Sequence, residues 1–143
     1  ETDLTPAQVE ALASVSYDPN DLAAPPASGS FVTLGMLVAP CSIKALSAVA
    51  NSYTADLMAR AADVCLKEGR PLLLAVRETP LHRGHLRLME QAAEAGAILF
   101  PPVPAFYSRP QSIDEMVTHS VARMLLRLGI GNSGYVEWGK EAK

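Results

Sequence analysis

PLLLAVRETPLHRGH, residues 71–85, decides the fold. Leu72 to Val76 is an unbroken apolar run, not an alternating one, which is how a parallel strand covered on both faces reads. Thr79-Pro80 then stops any strand, and between the two lies the charged pair Arg77-Glu78. A solvated turn would account for polarity at that point. It would not require an arginine and a glutamate side by side where a buried segment leaves the core.

Working upstream, Gly35 to Ala39 reads as a second short buried strand, stopped by Pro40, after which Ser42 caps a helix through about Asn51. Another helix spans about Ala55 to Glu68, closed by Gly69 with Pro71 just beyond. Downstream, a helix from about Gly84 to Ala95 stops at Gly96, and Ala97 to Phe100 is a third strand. The loop PPVPAFYSRPQS is stiffened by its prolines, and Ser112-Ile113-Asp114-Glu115 is a capping box opening a last long helix that Gly129 ends. Thr5-Pro6-Ala7-Gln8 is a further capping box, starting a short helix to about Ser14. Residues 17–30 form a long Pro-, Asp- and Ser-rich loop, a length that favours a functional role. The tail, residues 131–143, is loosely specified.

Strand and helix alternate, so the expected fold is α/β: a parallel sheet flanked by helices in three layers, as one domain over residues 1–143. Such sheets bind ligands outside the carboxyl ends of their strands. Those ends are Pro40-Cys41-Ser42, Arg77-Glu78-Thr79, and Pro101-Pro102 leading to Tyr107, and they are expected along one rim.

Bulk properties narrow the function. With 49% hydrophobic and 19% charged residues the chain is globular, not disordered. A net charge of −3 gives no electrostatic case for nucleic acid or an acidic membrane. No apolar run is long enough to span a bilayer, and no signal-peptide pattern opens the sequence. Cys41 and Cys65 lie in apolar surroundings without metal-ligand spacing, and read as reduced thiols of a cytoplasmic protein. Glu1 opens the sequence without an initiator Met, as in a chain lacking its natural beginning.

The rim residues suggest an anionic ligand. First-turn amides after Ser42 suit an oxyanion or the polar edge of a heterocycle, although an ordinary cap reads the same. Arg77 offers a planar fork for phosphate or carboxylate, and Glu78 an acid or base; an ion pair between them is the plain alternative. Arg60, Asp63 and Lys67 fit a solvated salt-bridge row, or an anion site made by the two cations. Tyr107 follows the proline-stiffened loop. Arg123, between apolar neighbours, reads as an inward arginine needing a partner, most simply a carboxylate. His82 and His85 match no metal site, and His119 reads as a surface residue.

Six blocks in order, ASGSF (27–31), PCSIKALSAVA (40–50), RAADVCLKEGRPLLL (60–74), RETPLH (77–82), PPVPAFYSRP (101–110) and RMLLRLGI (123–130), resemble the flavin prenyltransferases. The resemblance implies a flavodoxin-like, Rossmann-type fold, a homododecamer, and binding of FMN and dimethylallyl monophosphate without a metal. It implies transfer of the dimethylallyl group to N5 and then C6 of the flavin, and a partner decarboxylase that uses the prenylated FMN. By the same resemblance, Ser42, Ile43, Lys44, Ala45 and Arg77 are flavin contacts, and Glu78 is the proton-transfer group, with Glu1 a second acid. Lys67, Tyr107 and Arg123 surround the prenyl phosphate, Arg60 approaches it across a subunit contact, and Trp138 matches an aromatic of the C-terminal tail. The family's first strand and GxSG-type turn have no counterpart before Glu1. Two alternatives stand beside this reading. One is a related FMN-dependent decarboxylase of cysteine-type substrates, whose PxMNxxMW signature is replaced here by PCSIKALS. The other is a flavin storage or carrier protein, which would need none of the prenyl-phosphate groups.

Overall fold

A computed structural model of the chain describes residues 3–135. Its centre is a three-stranded, fully parallel sheet in the order β1 (Met36–Cys41), β2 (Leu72–Val76), β3 (Ile98–Leu99). Five helices accompany it: α1 (Pro6–Glu10), α2 (Ile43–Ala50), α3 (Leu57–Lys67), α4 (Arg83–Glu94) and α5 (Ile113–Arg127). Two single 3₁₀ turns, Pro25–Ala27 and Phe106–Ser108, punctuate the loops.

β2 is buried at every position, as its continuous apolar run requires. Because side chains alternate across a strand, its residues serve two cores. Leu72, Leu74 and Val76 pack with Val38, Leu46, Val49, Ala62, Cys65 and Ala92, joining β1 to α2, α3 and α4 on one face. Leu73 and Ala75 pack with Met124 of α5 and with Leu128, which caps it, on the other. The three layers therefore follow from one five-residue run.

The element ends show what local chemistry fixed. α1 has the full capping box between Thr5 and Gln8, yet stops at Glu10 instead of Ser14. It buries no residue, and a short helix with no buried face gains little by extending. Gly69 (φ 67°) and Gly129 (φ 79°) end α3 and α5 in left-handed geometry. In both cases the following residue's amide reaches back, Arg70 to the Cys65 carbonyl at 2.8 Å and Ile130 to the Leu125 carbonyl at 2.9 Å. At α5, Ser112 accepts from the Glu115 amide as expected, but the Glu115 carboxylate accepts from the Gln111 amide, one residue before the cap.

Pro40 does not stop β1, contrary to the sequence expectation. The strand passes through it to Cys41, and the register with β2 shifts between Val38↔Leu74 and Cys41↔Val76, so β1 carries one extra residue there. A bulge of this kind tolerates a proline because the bulged position need not donate to the ladder. The ladder resumes beyond it, with the Arg77 amide donating to the Cys41 carbonyl at 3.2 Å.

The long loop before β1 is fastened to α3. Arg60 donates from Nε to the Ala27 carbonyl at 3.1 Å, and Arg70 spreads its fork over the carbonyls of Gly29 (2.6 Å) and Phe31 (2.7 Å). Just after α5, Asn132 donates to the Ala122 carbonyl at 2.9 Å and turns the chain back along α5.

Candidate functional site

All three strands are parallel, so their carboxyl ends lie at one edge of the sheet. There β1 leads into Ser42, β2 into Arg77 and Glu78, and β3 into the loop that carries Tyr107.

Ser42 is the N-cap of α2, its hydroxyl accepting from the Ala45 amide at 3.2 Å. The amides of Ile43 and Lys44, in the first turn, have no carbonyl of their own helix to bond. Arg77 and Glu78 are exposed, and the ion pair considered from sequence does not form. Glu78 instead accepts from the Thr79 amide at 3.0 Å, which fixes its carboxylate at the strand exit. Arg77 keeps its guanidinium clear of the carboxylates that pair with other cations among the described residues.

A cleft of about 450 Å³ opens beside the β3 end of this rim, walled by Phe100, Pro101, Pro104, Phe106, Tyr107, His119, Ser120 and Arg123. Its cationic group is Arg123, which is exposed and not inward as the sequence suggested. Its partner is no carboxylate: Nη1 donates to the Tyr135 hydroxyl at 2.9 Å, and the guanidinium carbon lies 5.6 Å from that ring's centre. Desolvation and a hydrogen bond with Tyr135 raise the Tyr107 phenol above its ordinary value against the opposing pull of Arg123. Tyr107 is accordingly a neutral donor throughout the physiological range.

His119 is buried at 5% exposure, correcting its assignment to the surface. Its ring meets Tyr107 edge-on with centroids 6.0 Å apart and Tyr135 at 4.9 Å. Neither His119 nor Tyr135 was singled out from sequence as part of a site. Position four before Arg123 on the same helix was the available signal for His119, and Tyr135 had none.

Arg60 and Lys67 are not brought to this cleft. Lys67 ends α3, just before the turn that enters β2, and so stands toward the amino edge of the sheet. The salt-bridge row is half realised. Arg60 pairs with Asp63 at 3.5 Å, but Lys67 pairs with Glu68, whose carboxyl it holds below the usual range. Lys67 also lies against Gly29 of the fastened loop. Glu1 and Trp138 fall outside the described residues.

Cys41 and Cys65 are free and buried. Burial pushes the Cys41 thiol up to about 11. His82 caps α4 by accepting from the Gly84 amide at 2.9 Å, and its ring lies 3.6 Å from that of His85. Among the described residues no group of three or more His, Cys, Asp or Glu side chains could hold a metal ion. No helix among them is long and apolar enough to cross a membrane.

Comparison with known proteins places this geometry. Residues 4–122 match the family model described as Flavoprotein. Over 130 residues the chain is 60% identical to the flavin prenyltransferase UbiX of Escherichia coli K12, covering 91% of this chain and 69% of that one. It is 49% identical over 138 residues to the mitochondrial flavin prenyltransferase PAD1 of Saccharomyces cerevisiae, covering 96% of this chain and 57% of that protein. Among solved structures, AnUbiX (PadA1) in complex with FMN and dimethylallyl pyrophosphate superposes with a TM-score of 0.95 at 46% identity, covering 99% of this chain and 76% of that one. A dodecameric FMN-dependent UbiX-like decarboxylase from E. coli O157:H7 gives 0.93 at 44% identity, covering 98% and 76%.

Proposed function

The chain belongs to the Flavoprotein family and within it to the flavin prenyltransferases, and from that premise we propose that it joins the dimethylallyl group of dimethylallyl monophosphate to N5 and then C6 of reduced FMN. The observation that carries the reading is the cleft in which Tyr107 and Arg123 stand together, beside the rim of Ser42, Arg77 and Glu78. A protein that merely stored flavin would have no use for a second, phosphate-sized group of donors beside the flavin rim.

The residues present fit FMN. The unpaired first-turn amides of Ile43 and Lys44, with Ser42 capping and Ala45 small, can take the polar edge of the ring system, and the uncommitted Arg77 can take an anionic part. When bound, reduced flavin supplies the electron-rich positions to which the allyl carbon is joined. The chain's own contribution is positional and electrostatic. Arg123 and the neutral Tyr107 phenol donate to the phosphate of the prenyl donor, and stabilise it as it leaves and gains charge. Being fixed beforehand, they do so without reorganising. Glu78, anchored by the Thr79 amide, takes up the proton released at C6. Glu1 is assigned as a second acid of the site.

Arg60 and Lys67 enter this scheme from another subunit. Neither lines the cleft of its own chain, Lys67 standing toward the amino edge of the sheet, and an assembly like the dodecamer of the E. coli relative would supply the contact. The reading extends to a single flavin-binding domain, a cytoplasmic location, metal-independent chemistry and a downstream decarboxylase that consumes the prenylated FMN.

The test is to incubate the full-length protein with reduced FMN and dimethylallyl monophosphate and weigh the extracted flavin by mass spectrometry. Addition of a C5H8 unit is the expected result. Unmodified flavin, with FMN bound, would leave storage or the decarboxylase relatives as the better account.

A further inference from the structure

The prenyl-transfer reading assigns Tyr107 and Arg123 to the donor phosphate but does not say what holds them in register. They come from different segments. Tyr107 sits in a single 3₁₀ turn, 47% exposed, with no strand or long helix to fix it. Arg123 is on α5, and its hydrogen-bond partner Tyr135 comes from the chain beyond that helix. His119 is common to these segments.

Its burial is the first indication. A polar ring is costly to bury unless its surroundings compensate, and His119 lies at 5% exposure, so the residues about it are arranged to hold it. The second is geometric. The imidazole has Tyr107 against it at 85°, edge to face, and Tyr135 at 40°. Four residues further along α5, on the same helix face, Arg123 binds the Tyr135 hydroxyl. His119 also lines a neighbouring cavity of about 500 Å³ beside Arg109 and Thr118.

We propose that His119 is a positioning residue that, through its two ring contacts, holds the Tyr107 and Tyr135 phenols about the Arg123 guanidinium and so sets the donor geometry for the prenyl phosphate. His119 itself touches neither substrate in this scheme. Its loss shows in the use of the prenyl donor and not in the binding of flavin.

The inference rests on the prenyl-transfer reading, and the experiment separates the two. The full-length, FMN-loaded protein and its His119→Ala, His119→Phe and Tyr135→Leu variants are compared in KM for dimethylallyl monophosphate, kcat, FMN affinity and melting temperature. An aromatic contact of this kind is worth a few-fold in an equilibrium, so losing both should raise the donor KM about tenfold in His119→Ala. FMN affinity should stay within about twofold, and His119→Phe, which keeps a ring, should recover most of the loss. Tyr135→Leu removes the contact from the half-buried side of the ring, with melting temperature as its control for folding, and should raise the donor KM about threefold. An unchanged donor KM in Tyr135→Leu or in folded His119→Ala would overturn the role, as would an equal loss of FMN affinity or a phenylalanine variant no better than alanine. Wild-type protein that adds no C5H8 unit to FMN would remove the activity and this role together, whereas normal wild-type transfer with unaffected variants removes the role alone.

Discussion

Arg123→Gln isolates the electrostatic part of the proposed site. In the structure the Arg123 guanidinium donates to the Tyr135 hydroxyl at 2.9 Å and lines the cleft beside Tyr107. A charge-assisted hydrogen bond to phosphate is worth about 1.5–3 kcal/mol, or roughly 12- to 150-fold in affinity. Arg123 is exposed, so solvent and salt screening pull the expectation to the low end, about tenfold in kcat/KM for dimethylallyl monophosphate. Arg123→Lys keeps the charge without the planar fork and should fall between, at about threefold. Because an exposed side chain carries little of the fold's stability, the melting temperature should move by no more than about 2 °C. Steady-state kinetics at two ionic strengths, with FMN affinity measured in parallel, is the assay. The deficit should shrink as salt rises. A glutamine variant with wild-type donor kinetics, or a deficit indifferent to salt, would mean that the phosphate is bound elsewhere.

Glu78→Gln keeps the acceptor for the Thr79 amide but cannot take a proton, so transfer should slow by about 10²-fold or more with FMN still bound; normal turnover removes Glu78 from the mechanism. Lys67→Ala should weaken donor use more than flavin binding, and because Lys67 lies away from its own chain's cleft, mixed oligomers of Lys67→Ala and Arg123→Gln subunits should regain activity that neither variant has alone. Mixtures no better than the average of the two would place Lys67 in an ordinary ion pair with Glu68. For Cys41, the folded thiol titrates at about 11 against an ordinary value of 9.0, so stability is full below pH 9 and falls by about 2–3 kcal/mol as pH rises to 11. Denaturant melts from pH 8 to pH 11 check this, and Cys41→Ala should remove that part of the alkaline loss.

How far the sequence speaks depends on the scale of the interaction that fixes each feature. The run Leu72 to Val76 determined the three layers because burial on both faces can be met in few ways, and the caps at Ser42 and Ser112 were legible because a cap is chemistry within four residues. Pro40 misled because a proline forbids a ladder bond only where one is needed, and the register shift beside it depends on a partner strand some 35 residues away. Arg123 was judged by its apolar neighbours in sequence, yet a helix face is set by residues three and four apart, and its actual partner, Tyr135, reaches it through a chain reversal that Asn132 makes. His119 was misplaced for the same reason: the rings it meets, Tyr107 and Tyr135, come from separate segments. The site as a whole obeys the same division. Ser42, Arg77 and Glu78 could be placed on one rim because a parallel sheet dictates where its strand ends lie, whereas the separation of Lys67 from the Tyr107–Arg123 cleft within one chain has no local signature in the sequence. A binding group that a fold holds away from its own cleft either serves a neighbour or serves nothing, and the mixed-subunit experiment decides between those two.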